Sequence, residues 1–387
     1  MNNSPIFHKS LFDSTASKIN VDLWDNCTDA FDAKEYLKSF HLFLDYVNGE
    51  LRPKYGNAEG TKFKIPHGSI VVEIEIKDEM LYISAPFLEV NQSTVVPLLR
   101  QVCALNFNNM NLAQIYLKKE KELHFEYSCK LSQTNPYKMY YTLKEICATG
   151  DQYDDEYVTK FGAKRLHEPI VTHFTANKAE TAYGIVQKMI KDAFEYVEFL
   201  ESKRWYSLAW DVVALTLRQI DFYVQPQDQL RNDLARAIGD MHSKNTTINE
   251  LTERGKKFLK YLQEMDQSQF ISNLYEIETF IPDKRRASLQ SIQENLEEEQ
   301  KRTKENMSKG NYINIVLGIF YMYYNTFYYN NIPDNISRVM TDAMELASDK
   351  PWEDAAQILA DSLEKIMKGD LFTAKKSSGF FSRLFSK

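Results

Sequence analysis

The sequence predicts an α+β fold, with an antiparallel sheet and its packing helices in the N-terminal part and an all-α helical array after it. Three observations predict it. Two pairs of segments between about residues 69 and 131 alternate apolar and polar residues with a period of two, as strands with one wet face do. Helix-period stripes precede, separate and follow those pairs. After Pro169 the alternation vanishes and helix-period segments with short connections take over. At 387 residues the chain exceeds what one hydrophobic core usually covers, so two domains are expected.

Residues 1–31 read as an irregular N-terminal arm, with Phe7, Phe12 and Trp24 as anchors for lying on another surface. Helical signal begins at Asp32, an N-cap residue type, and Tyr36, Phe40, Phe43, Leu44 and Val47 form its apolar stripe. In Ser69–Lys77 the residues Ile70, Val72, Ile74 and Ile76 point one way, and Glu73, Glu75 and Lys77 the other. After the turn at Lys77-Asp78-Glu79, Leu81, Ile83, Ala85 and Phe87 resume the alternation, which predicts a hairpin. A helix follows from Thr94 to Phe107, with Pro97 in its first turn where a missing donor is harmless. Ala113, Ile115 and Leu117, then Leu123, Phe125, Tyr127, Cys129 and Leu131, form a second hairpin. Two more helical stretches, about Tyr137–Ala148 and Asp154–Leu166, complete the unit. Such a sheet packs helices on one face and leaves the other partly open.

This order, over about residues 32–166 of a domain expected to span 32–168, resembles the type III secretion chaperone-like superfamily, and within it the YbjN-type bacterial domain. The resemblance is carried by the hairpin SIVVEIEIKDEMLYISAPF, the helix ending LLRQVCALNF, the pair AQIYLKKEKELHFEYSCKL and the helices YYTLKEICATG and DDEYVTKFGAKRL. It covers about a third of the chain. It implies binding of a partner protein, a homodimeric arrangement and no catalysis. Secretion chaperones usually stand alone, whereas this chain adds some 200 residues.

Those residues, 169–370, read as an all-helical domain. Ile185, Val186, Met189, Ile190, Ala193, Val197 and Leu200 trace a long amphipathic helix. Further helical segments are predicted near 203–223, 227–242, 247–264, 268–280, 284–308, 311–330, 333–347 and 352–368. The stretch from Gly310 to Pro333 carries no charge and needs a membrane test. Its asparagines and tyrosines, and the three/four spacing of Ile313, Val316, Leu317, Phe320, Tyr324 and Phe327, favour a helix buried in a bundle over a membrane span. The segment SIQENLEEEQKRTKENMSKG is nearly all polar and reads as a solvated helix with i,i+4 charge pairs.

A net charge of −7 argues against a general nucleic-acid binder, which needs a clustered positive surface. The 23 Tyr and 23 Phe read first as bulky core material, and second as a recognition surface. Cys27, Cys103, Cys129 and Cys147 are widely spaced, three of them at apolar-phase positions, with no CxxC pair to suggest zinc or redox work. With no apolar run at the N-terminus long enough for a signal peptide, a cytoplasmic location is expected. Phosphate-loop, nucleophile-elbow and HExxH motifs are absent, so no catalytic, cofactor or metal residue is assigned. His167, Glu168 and His173 form the one histidine group, which reads as a junction rather than a metal site. Asp154-Asp155 and Glu297–Glu299 read as solvated surface.

The last segment, 371–387, reads as a flexible basic and aromatic tail. After Lys375 and Lys376, a helix over the end would place Phe380, Phe381, Leu384 and Phe385 on one face, with Arg383 and Lys387 away from it. That combination suits a hydrophobic groove on a partner or weak contact with an anionic membrane surface. The expected function is therefore a non-catalytic adaptor or chaperone that binds a partner polypeptide through the α+β domain. A peripheral-membrane scaffold using the tail is the runner-up, and an enzyme with a cleft between the domains is third.

Overall fold

The computed structural model describes residues 3–12, 19–20, 23–282 and 284–371. The N-terminal part runs α1 (Leu23–Asp32), α2 (Tyr36–Val47), α3 (Leu51–Tyr55), β1 (Lys62–His67), β2 (Ile70–Lys77), β3 (Met80–Glu89), α4 (Val95–Asn108), β4 (Gln114–Lys118), β5 (Glu122–Lys130), α5 (Pro136–Phe161) and β6 (Lys164–Arg165). The second part runs β7 (Val171–His173), α6 (Ala176–Ser202), α7 (Tyr206–Val224), α8 (Asp228–Asp240), α9 (Ile248–Glu264), α10 (Gln267–Ser272) and β8 (Tyr275–Ile277). It continues with β9 (Arg285–Arg286), α11 (Leu289–Lys309), α12 (Tyr312–Tyr329), β10 (Asn330–Asn331), α13 (Asp334–Ala347) and α14 (Trp352–Lys368). An antiparallel sheet followed by helices is the predicted α+β class.

The sheet order is β1-β2-β3-β5-β4, with β6 added beside the end of β3. Both predicted hairpins are present, β2 with β3 and β4 with β5. The turn between β2 and β3 holds Asp78 and Glu79 at φ 53° and 61°, the left-handed pair that a two-residue hairpin of matching twist requires. Phe63, Ile65, Val72, Ile74, Ile83 and Phe125 bury the inner face under α2, α4 and α5. Burying each such side chain contributes about 1.5–3 kcal/mol.

Several boundaries differ from the sequence reading, each for a physical reason. Asp32 ends α1 instead of opening α2, so residues 23–32 are helical and not part of an irregular arm. Strand β1 was not predicted, because Pro66 interrupts a short pattern; the strand sits at the sheet's edge, where proline is tolerated. The two stretches expected over 137–166 are one helix, α5, capped by Asn135 and closed by Gly162 at φ 63°. Gly150 does not break it, because a Cβ there would approach Ile70 Cδ1 to 3.0 Å; the glycine serves close packing on β2. The helix expected over 268–280 stops at Ser272, and Tyr275–Ile277 pairs antiparallel with β7 a hundred residues earlier in sequence.

In the helical part α12 packs on α7, α11 and α14, with Ile315, Val316, Leu317, Phe320, Tyr323, Tyr324 and Phe327 buried. Among the described residues no helix is long and apolar enough to cross a membrane. Of the cysteines, Cys27 and Cys147 are buried, Cys129 is half-buried and Cys103 is exposed, so two rather than three behave as core residues.

Two segments cross between the cores. Residues 3–12 lie on the helical part, where Phe7 and Leu11 join its core. In the other direction Phe280 and Ile281, carried between β8 and β9, complete the core under the sheet.

Candidate interaction surface

The outer face of the sheet carries the alternate residues of each strand. Lys62–Glu75 at 2.9 Å and Lys64–Glu73 at 2.6 Å pair β1 with β2, and Lys118–Glu126 at 2.5 Å pairs β4 with β5. Ser84 Oγ donates to Glu126 from β3 at 2.6 Å. Exposed pairs of this kind add at most about 1 kcal/mol each, yet they neutralise the face, on which Tyr82 and Tyr116 are the large exposed rings among the described residues. The face is charge-compensated rather than apolar.

The two edges of the sheet differ. At β1, Gly56 forms an antiparallel bridge with Phe63, and Asn57 Oδ1 accepts from the backbone N–H groups of Thr61 and Lys62 at 2.8 and 2.9 Å. Only glycine fits at 56, because a Cβ would lie 2.7 Å from both Arg52 O and the Phe63 ring. That edge is closed. At β4 one residue is blocked: Asn106, at the end of α4, donates from Nδ2 to Ile115 O and accepts from Ile115 N, both at 2.8 Å. Its amide thus imitates a neighbouring strand at that position. Leu117, two residues on, presents its backbone N–H and C=O in the same outward direction, and no partner for them occurs among the described residues. Beside this edge Phe107 is 88 % exposed, and Tyr116 and Leu117 are exposed as well. An open edge flanked by aromatic and aliphatic side chains is a template for pairing with another chain.

The seam between the parts is built around His67, which is 1 % exposed. Its Nδ1 accepts from Phe280 N at 2.9 Å, so the ring proton sits on Nε2, facing Asp151 Oδ2 at 3.1 Å. Cys147, one helical turn before Asp151 on α5, contacts the same ring. A Cys–His–Asp grouping suggests nucleophilic chemistry, but here the thiol and ring are both buried and the ring holds a backbone amide. It works as a latch. Glu278 extends it: Tyr55 Oη donates to it at 2.6 Å, Lys54 Nζ at 2.7 Å, and Gly68 N donates to its carbonyl at 3.0 Å.

The helical part keeps charge in its interior. Arg218 is fully buried, donating to Asn325 Oδ1 at 2.9 Å and to His242 Nε2 at 3.1 Å, with the Tyr321 ring 4.6 Å away. Tyr321 Oη also bonds His242 Nε2, at 3.0 Å. Burial and the guanidinium push His242 below its ordinary pKa, which keeps that nitrogen an acceptor. On α11 the expected charge pairs occur, Lys301–Glu297 at 2.9 Å and Lys309–Glu305 at 2.5 Å. Glu299, however, is not solvated surface. It is 6 % exposed, because it fills the space that Gly318 leaves, and burial raises its pKa to about 7 against the pull of Arg302. Asp211 is raised by burial to about 6. Asp154 is likewise buried, not solvated, since Arg165 ties it and Asp155 to β6.

Of the other candidates, His173 packs its ring edge-on to Tyr275 at 5.5 Å, and among the described residues no three or more His, Cys, Asp or Glu side chains are arranged to hold a metal ion. The tail residues Lys375, Lys376, Phe380, Phe381, Arg383, Leu384, Phe385 and Lys387 lie outside the described residues. Sequence reasoning missed His67 and Arg218. Arg218 had a signal, a lone cation in the apolar run VVALTLRQI; His67 had none, because its partner lies 213 residues away. No known protein family, no curated protein and no solved structure matches the chain.

Proposed function

We propose that the chain is a non-catalytic, chaperone-like adaptor that binds a partner polypeptide through its α+β part, by main-chain pairing along β4. The observation that carries this reading is the open outer side of Leu117, framed by exposed Phe107 and Tyr116. The ion-paired outer face supports the edge over a side-chain contact across the sheet, since breaking those pairs would cost a partner without returning apolar burial. In this reading Phe107 and Tyr116 flank the added strand and set its register, and β5 stays paired beneath it. The resemblance to secretion chaperones agrees with a protein-binding role.

The test uses the whole chain. Leu117→Pro removes the outward donor at a position that gives nothing to β5, and Phe107→Asp removes the apolar flank. Both variants should keep the wild-type circular-dichroism spectrum and melting temperature within a few degrees. Each should lose a polypeptide that co-purifies with the wild type from its native host. Retention of that polypeptide by both folded variants would sink the edge-pairing reading. Size-exclusion chromatography of the same variants separates a second copy of the chain from a different partner.

A further inference from the structure

The N-terminal residues 3–12 are held the way an extended peptide is held by a receptor. Ser4 N donates to Lys350 O at 2.8 Å, Ser4 Oγ bonds Ala347 O and accepts from Lys350 N at 3.1 Å, and Asn3 makes an antiparallel bridge with Pro351. Phe7 N donates to Ser348 Oγ at 3.0 Å and Leu11 N to Tyr223 O at 2.9 Å. Between these bonds the Phe7 ring enters a pocket beside Phe222 and Tyr324, at 5.9 and 6.3 Å between centroids, and Leu11 joins the same core. Main-chain bonds give hold, and side chains at fixed spacing give selectivity.

The groove is larger than its occupant. Beside residues 3–6 and His8, against α6 and α7, lies a half-open cleft of about 450 Å³. Met189, Leu215 and Leu317 line it alongside Lys188, Asp192 and Gln219. The arm bridges this space with Pro5 and Ile6 and leaves it unfilled. Where its lining is apolar, a bulkier side chain would recover dispersion contacts that Ile6 leaves unmade.

We propose that this groove is a recognition site for an extended segment of a partner polypeptide, with the chain's own arm as its occupant in cis. The fitting segment carries Ser, Phe and Leu at the spacing of Ser4, Phe7 and Leu11, and a larger apolar side chain where the arm has Ile6. This goes beyond the β4 reading, because the groove lies on the other core and uses none of the sheet's residues. Tethering gives the arm an effective concentration on the order of millimolar, so a partner must bind better than the arm to replace it.

The experiment keeps the full chain. A protease recognition sequence is inserted between Phe12 and Ile19, the protein is folded and then cut, which turns the arm into a dissociable ligand. The probe is a fluorescein-labelled peptide, NSPIFHKSLF, identical to residues 3–12. The cut protein should bind it saturably by anisotropy, and the uncut protein at least about tenfold more weakly. A probe with Phe7→Ala should bind at least about tenfold more weakly, a loss of ~1.4 kcal/mol. A probe with Ile6→Trp should bind at least about fivefold more tightly. Phe7→Ala in the uncut chain should open the groove to the wild-type probe without any cut. The proposal is overturned if the cut protein unfolds, if it keeps its arm and takes up no probe, or if Ile6→Trp weakens binding. A dimer of the uncut chain that disappears on deleting the arm would replace a different partner with a swapped second copy.

Discussion

The two crossing segments invite comparison, because each supplies aromatic and aliphatic anchors to a core that belongs to the rest of the other part. Phe280 and Ile281 are 2 % and 1 % exposed, and the backbone around them is bonded to His67 and Gly68 and braced by Glu278. Phe7 and Leu11 are each 8 % exposed, and Ile6 and His8 on either side of Phe7 line a half-open cleft. The first segment is enclosed, bonded from both sides, and embedded between β8 and β9. The second runs past a half-open cleft. A segment enclosed in a core is a weld, whereas one that runs beside an open cleft is a strap.

The sharpest break of this comparison is a matched pair of truncations. Phe280→Ala should destabilise the protein by about 3–5 kcal/mol in urea unfolding, the usual cost of emptying a closed aromatic site. It should also remove amide-exchange protection across β1 and β2, which the segment underpins. His67→Ala should follow at about 2–3 kcal/mol, because it leaves the buried Phe280 N–H without an acceptor as well as opening space. The exchange rate of the Phe280 amide reads that loss directly. Phe7→Ala should cost less, about 1–3 kcal/mol, and leave protection of the sheet unchanged, since the ring is less completely covered and packs on the other core. Equal costs for Phe280→Ala and Phe7→Ala would erase the distinction between weld and strap.

The same contrast explains which parts of the fold were legible. Elements written in local periodicity were readable: the strands around Val72–Ile76 and Leu81–Phe87, and the stripe on α12. Elements that depend on distant partners were not. Strand β8 lies within a stretch with helical signal, and only its pairing with β7 makes it extended. The middle of α5 contains Gly150 and several acids, and it stays helical because Ile70 fills the glycine's side and Arg165 holds Asp154. Glu299 looked like one more exposed acid because nothing near it in sequence reveals Gly318. Of the candidate surface, the β4 strand was readable, but its openness was not, since that depends on Asn106 blocking one residue and not the next. Phe7 and Phe12 were readable as anchors, but the surface they anchor to was not.

The smallest effect expected is a pH dependence confined to the strap. His8 lines the cavity, with Lys188 and Asp192 of α6 beside it and the Tyr223 ring of α7 at 5.6 Å. Burial and then Lys188 push its pKa below the ordinary imidazole value, and Asp192 pulls the other way without prevailing. The docked arm therefore binds fewer protons than the released arm. Docking is at full strength above the free imidazole range, near about pH 6.5, and weakens as pH falls through that range toward the docked ring's own, lower pKa. Binding of the residue 3–12 probe to the cut protein should be weaker by a few-fold at about pH 5.5 than at about pH 7.5, and a His8→Gln probe should show no such change. If acid instead tightened the probe, Asp192 would outweigh burial at His8, and the strap would be a contact that acid strengthens.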